Sequence, residues 1–435
     1  MDLSFLLFIF LQLMLFVILI YFVVVKLYEL VYNIYQILEI IFIWGICMEI
    51  TIQDIFNKFG DKYSMKYQTS YNRLDVYNNI RNCRTKEMGL RIYKCSDCGK
   101  KIYTYKSCMD RHCPNCLDYK KEVWIEKHKE DILDIDYYHI VLCLPRELYP
   151  LCYYNQRIMY DLLFKVSSDA VIDCCYEHLG LNVGITSILH TWSQKMKYYP
   201  HIHMLVTGGG VDKLGRWVDS ELVNVDTIKT RFKNRLLKEI GKLHLNFYGK
   251  YEYLNNYDNF IKYLNDISYD EFICYKKEPY DSVNDIYEYF GKYAFKVCIT
   301  NERIKKMDDD YVYFTYKDYG NKNINRISKM KGEEFIRRFL SHTLDKSFIK
   351  IRYYGIMSCK NKVSKMEKLR LLTRTKKCKD KFLGKIEILK KILDGKDITK
   401  CPKCNGKLYL YKEVCGNKGP PGNKINNVKE VESCV

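Results

Sequence analysis

From Tyr137 onward, apolar runs of strand length alternate with longer amphipathic stretches. YYHIVLCL (137–144) is almost wholly apolar and stops at Pro145, which predicts a strand. Residues 153–178 space their apolar positions as a helix does. NVGITSILH (182–190) and HIHMLVTG (201–208) read as two strands joined by a polar segment, a plausible hairpin. Residues 226–245 predict a helix, FICYK (272–276) a strand, and YVYFTYKDY (311–319) a further strand by its alternation. KGEEFIRRFLSHTL is helical, and 360–396 is mostly so. Asp281-Ser282 opens a helix that runs through Tyr293, with Ser282 and Asp285 at capping-box spacing. The sum is an α+β domain built on an antiparallel sheet, without internal repeats.

The first 47 residues obey another pattern. Leu3 to Val25 is apolar apart from Gln12 and long enough to cross a bilayer, and apolar residues continue to Trp44. Met48 then opens MEITIQDIFNKFGDKY, an ordinary amphipathic helix pattern. Either the leader is a membrane anchor or translation starts at Met48; the second is expected, since nothing later resembles a membrane protein. The expected divisions are a leader (1–47), a cysteine-rich module (48–130), the α+β domain (131–345), a basic region (346–415) and a disordered tail (416–435).

Charge adds a partner to this picture. The 435 residues carry a net charge of +19, and Lys360 to Lys400 alone holds fifteen Lys or Arg against five Asp or Glu. Such an excess suits nucleic acid or a membrane surface. Tyrosine is abundant, at 40 residues, so tyrosine spacings carry little weight on their own.

The 19 cysteines cluster. In CSDCGKKIYTYKSCMDRHCPNC two C-x2-C pairs stand fourteen residues apart, the spacing of a four-thiolate zinc site. Cys95, Cys98, Cys113 and Cys116 form the simplest set, with Cys83, Cys108 and His112 as spare donors. Zinc here would stitch together a region too small for a core of its own, and Lys100, Lys101, Lys106 and Arg111 would let the module touch DNA. CPKCNGKL supplies a second knuckle, Cys401 and Cys404, whose partners could be Cys415 and Cys378.

In YYPHIHMLVTGGG, His201 and His203 would point to one face of a strand, about 7 Å apart. Two imidazoles so placed could share a divalent ion or could be buried core histidines. The glycines lack the Lys-Ser/Thr of a phosphate loop and are expected to end the strand in a turn.

This stretch resembles the histidine–hydrophobic–histidine (HUH) endonuclease motif. WSQKMKYYPHIHMLVTGGG is similar, more narrowly, to rolling-circle transposases of the insertion-sequence-ninety-one family. Those proteins order a segment like SCMDRHCPNC, a strand like YYHIVLCLPRELYPL, the HUH strand, and a helix with one or two tyrosines before a segment like ITNERI. All occur here in that order, over roughly Met48 to residue 410.

The resemblance implies an HUH catalytic domain in which Tyr289 and Tyr293, one turn apart in YEYFGKYAFKVCITNERI, are nucleophiles. Relatives often carry Thr-His-Arg after the second tyrosine; this chain has Ala294-Phe295-Lys296. His201 and His203 would bind Mg²⁺ or Mn²⁺ over the scissile phosphate. Gln194 is expected as third ligand, with His139 and His190 as alternatives. Tyrosine attack would leave a 5′-phosphotyrosine and a free 3′-hydroxyl, on single-stranded DNA at transposon ends, in the cytoplasm. Lys276, Lys292, Lys296 and Arg111 would hold the DNA backbone. Gly291 between the tyrosines weakens a helix by about 1 kcal/mol relative to alanine, tolerable where a backbone comes close. The rival readings are a plasmid replication initiator or relaxase of the same chemistry, and a zinc-ribbon regulator that cuts nothing.

Overall fold

The computed structural model describes residues 50–267, 269, 271–277, 286, 289, 291, 293–318, 324–376 and 382–416. The architecture below is that of the unit Thr51–Val435. The apolar leader, the Ser282/Asp285 cap, Lys292, Cys378 and the tail from 417 lie outside the described residues.

The chain opens with α1 (Ile52–Lys66) and α2 (Tyr71–Asn82). A Thr51/Asp54 capping box starts α1, each side chain bonding the other's backbone N–H. Its apolar stripe of Ile52, Ile55, Phe56 and Phe59 is fully buried. Next come β1 (Gly89–Cys95), β2 (Lys101–Tyr105) and α3 (Pro114–His128). The central region runs β3 (Tyr137–Cys143), α4 (Tyr149–Tyr154), α5 (Gln156–Leu179), β4 (Gly184–Trp192) and β5 (Tyr198–Thr207). A small ribbon of β6 (Gly209–Val211) and β7 (Trp217–Asp219) precedes α6 (Val225–Ile240), α7 (Tyr257–Ile267) and β8 (Ile273–Lys277). Beyond the tyrosine segment lie β9 (Ile304–Met307), β10 (Tyr311–Asp318), β11 (Ile324–Lys331), α8 (Gly332–Ser341) and β12 (Ile351–Gly355). The basic region gives α9 (Lys362–Leu372) and α10 (Lys385–Ile392), then β13 (Leu408–Cys415).

Five strands form the central sheet in the order β12-β4-β5-β3-β8, every neighbour antiparallel. This is the expected α+β architecture, with the HIH strand in the middle. One face is apolar. Ile140, Leu142, Leu189, Ile202, Met204 and Val206 pack there against Phe164 and Val171 of α5 and Phe232 of α6. A fully buried side chain of this size contributes about 1.5–3 kcal/mol, so this face is the main source of stability. Gly180, at φ 70°, ends α5 in the left-handed conformation that glycine adopts without cost.

Of the three glycines after the HIH strand only Gly208 is a bend that ends β5; the next two are not a turn. Gly209–Val211 is strand β6, paired with β7. Glycine is needed because backbones approach closely: a Cβ on Gly209 would lie 2.6 Å from the Val218 carbonyl oxygen, and one on Gly210 2.6 Å from that of Asn182.

A second three-stranded sheet, β13-β1-β2, was not legible in the sequence. It joins a C-terminal strand to the cysteine-rich module in antiparallel register from Gly89↔Cys415 to Cys95↔Leu408.

Candidate active site and cysteine clusters

Opposite the apolar face, the same strands carry imidazoles. In the antiparallel register Cys143 faces His201, Val141 faces His203 and His139 faces Leu205; on the other side His190 faces His201. Directly paired residues share a face, and residues two apart on a strand do too. His139, His190, His201 and His203 are therefore gathered on one side, and all are buried or nearly so.

Their hydrogen bonds assign most of their protons. A carbonyl only accepts, so His201 donates from Nδ1 to the Tyr199 oxygen at 2.8 Å, leaving the Nε2 lone pair free. His190 likewise donates from Nε2 to the Tyr293 carbonyl at 2.9 Å, leaving Nδ1 free. His201 Nε2 and His203 Nε2 face each other at 3.1 Å, and His203 Nδ1 lies 2.9 Å from His139 Nε2. Two nitrogens bound to one ion at about 2.1 Å and near a right angle would be about 3.0 Å apart. His190, His201 and His203 each offer a ligand atom within 4.8 Å of the others. Burial lowers the pKa of His201 to about 4 and holds His190 and His203 well below the usual value, so the rings are neutral, the form that binds metal. His139 is also lowered to about 4, by burial and then by the nearby Lys277 charge.

His190, one of the alternatives, offers a ligand atom beside those of His201 and His203. Gln194 lies in the 193–197 hairpin turn, where its backbone carbonyl accepts a bond from Arg303.

The tyrosines cover this histidine face. Ile286, Tyr289, Gly291, Tyr293 and Ala294 are helical, and Ile286 and Ala294 pack on Ile188 and Leu205 of the sheet. Tyr289 Oη sits 2.7 Å from His139 Nδ1. The Tyr293 ring lies 4.6 Å from that of His203 and stacks at 5.7 Å on His190; the two tyrosine rings are 4.3 Å apart. Gly291 is explained by its neighbour: a Cβ there would meet Ile125 of α3 at 2.7 Å. Lys350 donates to the carbonyls of Ala294 and Lys296, as cations do at helix C-termini.

Among the expected DNA contacts, Lys296 stands by Tyr293, its ammonium 5.3 Å from the ring. Lys276 does not face the site. It pairs with Ile140 and reaches the Tyr138 ring on the apolar side, and the neighbouring Lys277 faces Tyr289 at 5.7 Å. Successive residues of a strand point to opposite faces, so Lys276, opposite Ile140, and Lys277, opposite His139, lie on different sides. Arg111 is turned inward, donating to the carbonyls of Phe348 and Asp345.

The cysteines regroup in a way that spacing did not reveal. Cys95, Cys98, Cys113 and Cys116 do not converge. Cys113 and Cys116 instead meet Cys83 and Cys108, whereas Cys95 and Cys98 meet Cys401 and Cys404. In the first group Cys83 and Cys108 lie 3.6 and 3.7 Å from Cys116, sulfur to sulfur. In the second, Cys95–Cys404 is 3.4 Å and Cys98–Cys401 is 3.7 Å. Four thiolates about 2.3 Å from zinc lie about 3.8 Å apart, so both groups fit the ion. The physical reason for the exchange is the long β1–β2 hairpin, which carries the first C-x2-C away from the second. His112 is spent elsewhere, its Nδ1 on Asp110 at 3.1 Å and its Nε2 accepting from the Leu344 N–H. Cys415 is outside both groups.

Comparison with known proteins finds two matching families. Residues 55–144 match the family described as "Transposase zinc-binding domain", and residues 184–365 match the one described as "Putative transposase". Two transposase domain families thus match separate parts of this chain. It is 29% identical over 385 residues to "Putative transposase y4qJ" of Sinorhizobium fredii, covering 85% of this chain and 97% of that protein. It is 34% identical over 137 residues to "Transposase for insertion sequence element IS801" of Pseudomonas savastanoi pv. phaseolicola, 31% of this chain and 33% of that one. No solved structure matches. The transposase match takes in His190, His201, His203 and both tyrosines, whereas His139 falls within the zinc-binding match. Structural zinc in the cysteine-rich module follows from that domain and its thiol cluster. Among the described residues, no helix is long and apolar enough to cross a membrane.

Proposed function

We propose that this transposase cuts and rejoins single-stranded DNA at transposon ends through Tyr289 and Tyr293, by rolling-circle transposition in the cytoplasm. The observation that carries the reading is the meeting of two tyrosines with a three-imidazole pocket whose free lone pairs converge. His190, His201 and His203 would hold a divalent cation, which would polarise the scissile phosphate and offset charge developing on it. An all-nitrogen set suits Mn²⁺ better than Mg²⁺, which prefers oxygen.

The remaining groups prepare the nucleophile. If His203 keeps Nε2 free, its Nδ1–H donates to His139 Nε2. His139 then carries its own proton on Nδ1, facing the Tyr289 oxygen. That tautomer chain aims a donor at the phenolic oxygen and favours its anionic form. Attack by Oη on phosphorus breaks the P–O3′ bond, forms a 5′-phosphotyrosine and leaves the electron pair on the 3′-oxygen, which gains a proton. The bond is conserved in energy, so reversal onto another 3′-hydroxyl rejoins DNA. Tyr293, whose ring centroid lies 4.3 Å from that of Tyr289, would take a second strand. Lys277 and Lys296 beside the two rings would hold the phosphates.

The test is incubation of the protein with single-stranded transposon-end DNA and Mn²⁺, followed by denaturing electrophoresis. A covalent adduct is expected, abolished by omission of the metal and reduced at least about a thousandfold in His201→Ala. Absence of any adduct across both element ends would overturn the reading.

A further inference from the structure

The second cysteine group joins residues three hundred positions apart, and its construction is symmetrical. In CSDCGK and in CPKCNGK the first cysteine's carbonyl accepts from the residue that follows the second cysteine: Gly99 at 3.2 Å, Asn405 at 2.8 Å. Both residues are left-handed, at φ 67° and 63°, the conformation that glycine and asparagine tolerate best. Each first cysteine's N–H also bonds back across its turn, Cys95 to Lys100 and Cys401 to Gly406. The turns nest against one another: a Cβ on Gly406 would lie 2.4 Å from the Asp97 carboxylate. Ser96 donates to the Lys407 carbonyl at 2.9 Å, and β13 continues from there along β1.

We propose that Cys95, Cys98, Cys401 and Cys404 hold a second zinc ion, which fastens the C-terminal strand onto the N-terminal module. The zinc-binding match ends at residue 144, so half of this ligand set lies outside it. Without the ion, β13 would be held by strand pairing along one exposed sheet. With it, the two ends of the folded unit are tied, and the chain's basic region is enclosed in the loop between them.

The test is metal content and thiol accessibility of the full chain. Two zinc ions per chain are expected, falling to one in the double variant Cys401→Ser/Cys404→Ser. In the wild type, Cys98 and Cys404 should resist alkylation despite their surface position, while exposed Cys359 reacts at once. A chelator should release all four cysteines of the group together. One zinc per chain, or rapid alkylation of Cys98 and Cys404 alongside Cys359, would overturn the site. The wild-type footprint decides the matter even if the double variant fails to fold.

The sheet so completed has a face that zinc does not explain. By register, Tyr103, Tyr105 and Tyr409 share one side with Lys94 and Lys101. Tyr411, in the bulge of β13, lies beneath both ammonium groups at 5.6 and 5.0 Å. All four rings are exposed. The acidic residue of these strands, Glu413, falls on the other side, paired with Arg91 and Lys106. Exposed rings between lysines form a stacking surface for unpaired bases and their phosphates. We infer that this face binds single-stranded DNA, resting on the reading above for the source of that strand. Fluorescence anisotropy with a labelled oligothymidine, without divalent metal so that no adduct forms, should show about tenfold or weaker binding in Tyr103→Ala/Tyr411→Ala. Duplex binding should change little. Unchanged single-strand affinity would sink the inference whether or not the protein cuts DNA; loss of binding here together with no adduct in the separate Mn²⁺ experiment above would refute the chemistry and keep the surface.

Discussion

The two faces of the central sheet are made from alternate residues of the same strands, and they do opposite things. Ile202, between His201 and His203, points into a core of α5 and α6 and is fully buried. Its two neighbours point into a polar pocket under the tyrosine segment. The apolar face fixes the strands in place without taking part in any chemistry. The histidine face carries four neutral imidazoles whose burial costs stability unless each polar atom finds a partner. One face therefore holds the other in position, and the two should fail differently when altered.

The largest effect belongs to the proposed nucleophiles. Tyr289→Phe/Tyr293→Phe should leave the fold intact and remove the covalent adduct entirely, read by denaturing electrophoresis. Tyr289→Phe alone should cost most of the first-strand adduct, because its oxygen is the one beside His139. An adduct in the double variant would place the nucleophile elsewhere and end the functional side of the contrast.

Next is His139, which touches both the proposed ligand His203 and Tyr289. Loss of a partner that orients a metal-bound histidine typically weakens metal binding 10- to 100-fold. His139→Phe should raise the Mn²⁺ concentration needed for half-maximal adduct by about that factor, with His139→Gln recovering part of it. A lower adduct yield at unchanged Mn²⁺ dependence would confine His139 to the tyrosine.

Ile202→Ala tests the other face. A fully buried aliphatic cut back to alanine costs about 2–5 kcal/mol. The denaturation midpoint should fall accordingly, while adduct formed per folded molecule at low temperature stays near wild type. If activity per folded molecule fell as steeply as stability, the two faces would not be separable.

Much of this contrast was legible in the sequence, and the omissions have physical causes. The strand at 137–144, the hairpin of 182–190 with 201–208, and the α+β class followed from local periodicity, which the structure reproduces within a few residues. His201 and His203 could be placed on one face because strand geometry is local. His190 could be ranked only after cross-strand register was known, and register depends on the hairpin bulge between His190 and Trp192. The same holds for Lys277 over Lys276. The cysteine exchange was least legible. Spacing favours the nearest pair, but the true partners of Cys95 and Cys98 arrive from 401–404 on a strand that pairs across the whole chain. A hint was present: CSDCGK and CPKCNGK are more alike than CSDCGK and CPNC.

The smallest expected effect concerns Lys350, at the border between the two faces. Its ammonium bonds the carbonyls of Ala294 and Lys296 beside a cavity of about 280 Å³ lined by Trp192, Phe295 and His342. Burial, then the charges of Arg111 and Lys296, bring its pKa down to about 7, against about 10.4 for an unfolded lysine. Between those values the unfolded chain binds the extra proton, so stability should rise with pH across that window. A single proton sets the limiting slope at about 1.4 kcal/mol per pH unit. Lys350→Met should flatten this rise, seen as urea midpoints that differ less between pH 7 and pH 9 than in the wild type. Because the amine also tethers the end of the tyrosine segment, the same variant should lower adduct yield modestly at every pH. A flattened stability profile with wild-type adduct yield would assign Lys350 to the scaffold alone; a fall in yield with an unaltered profile would assign it to the site.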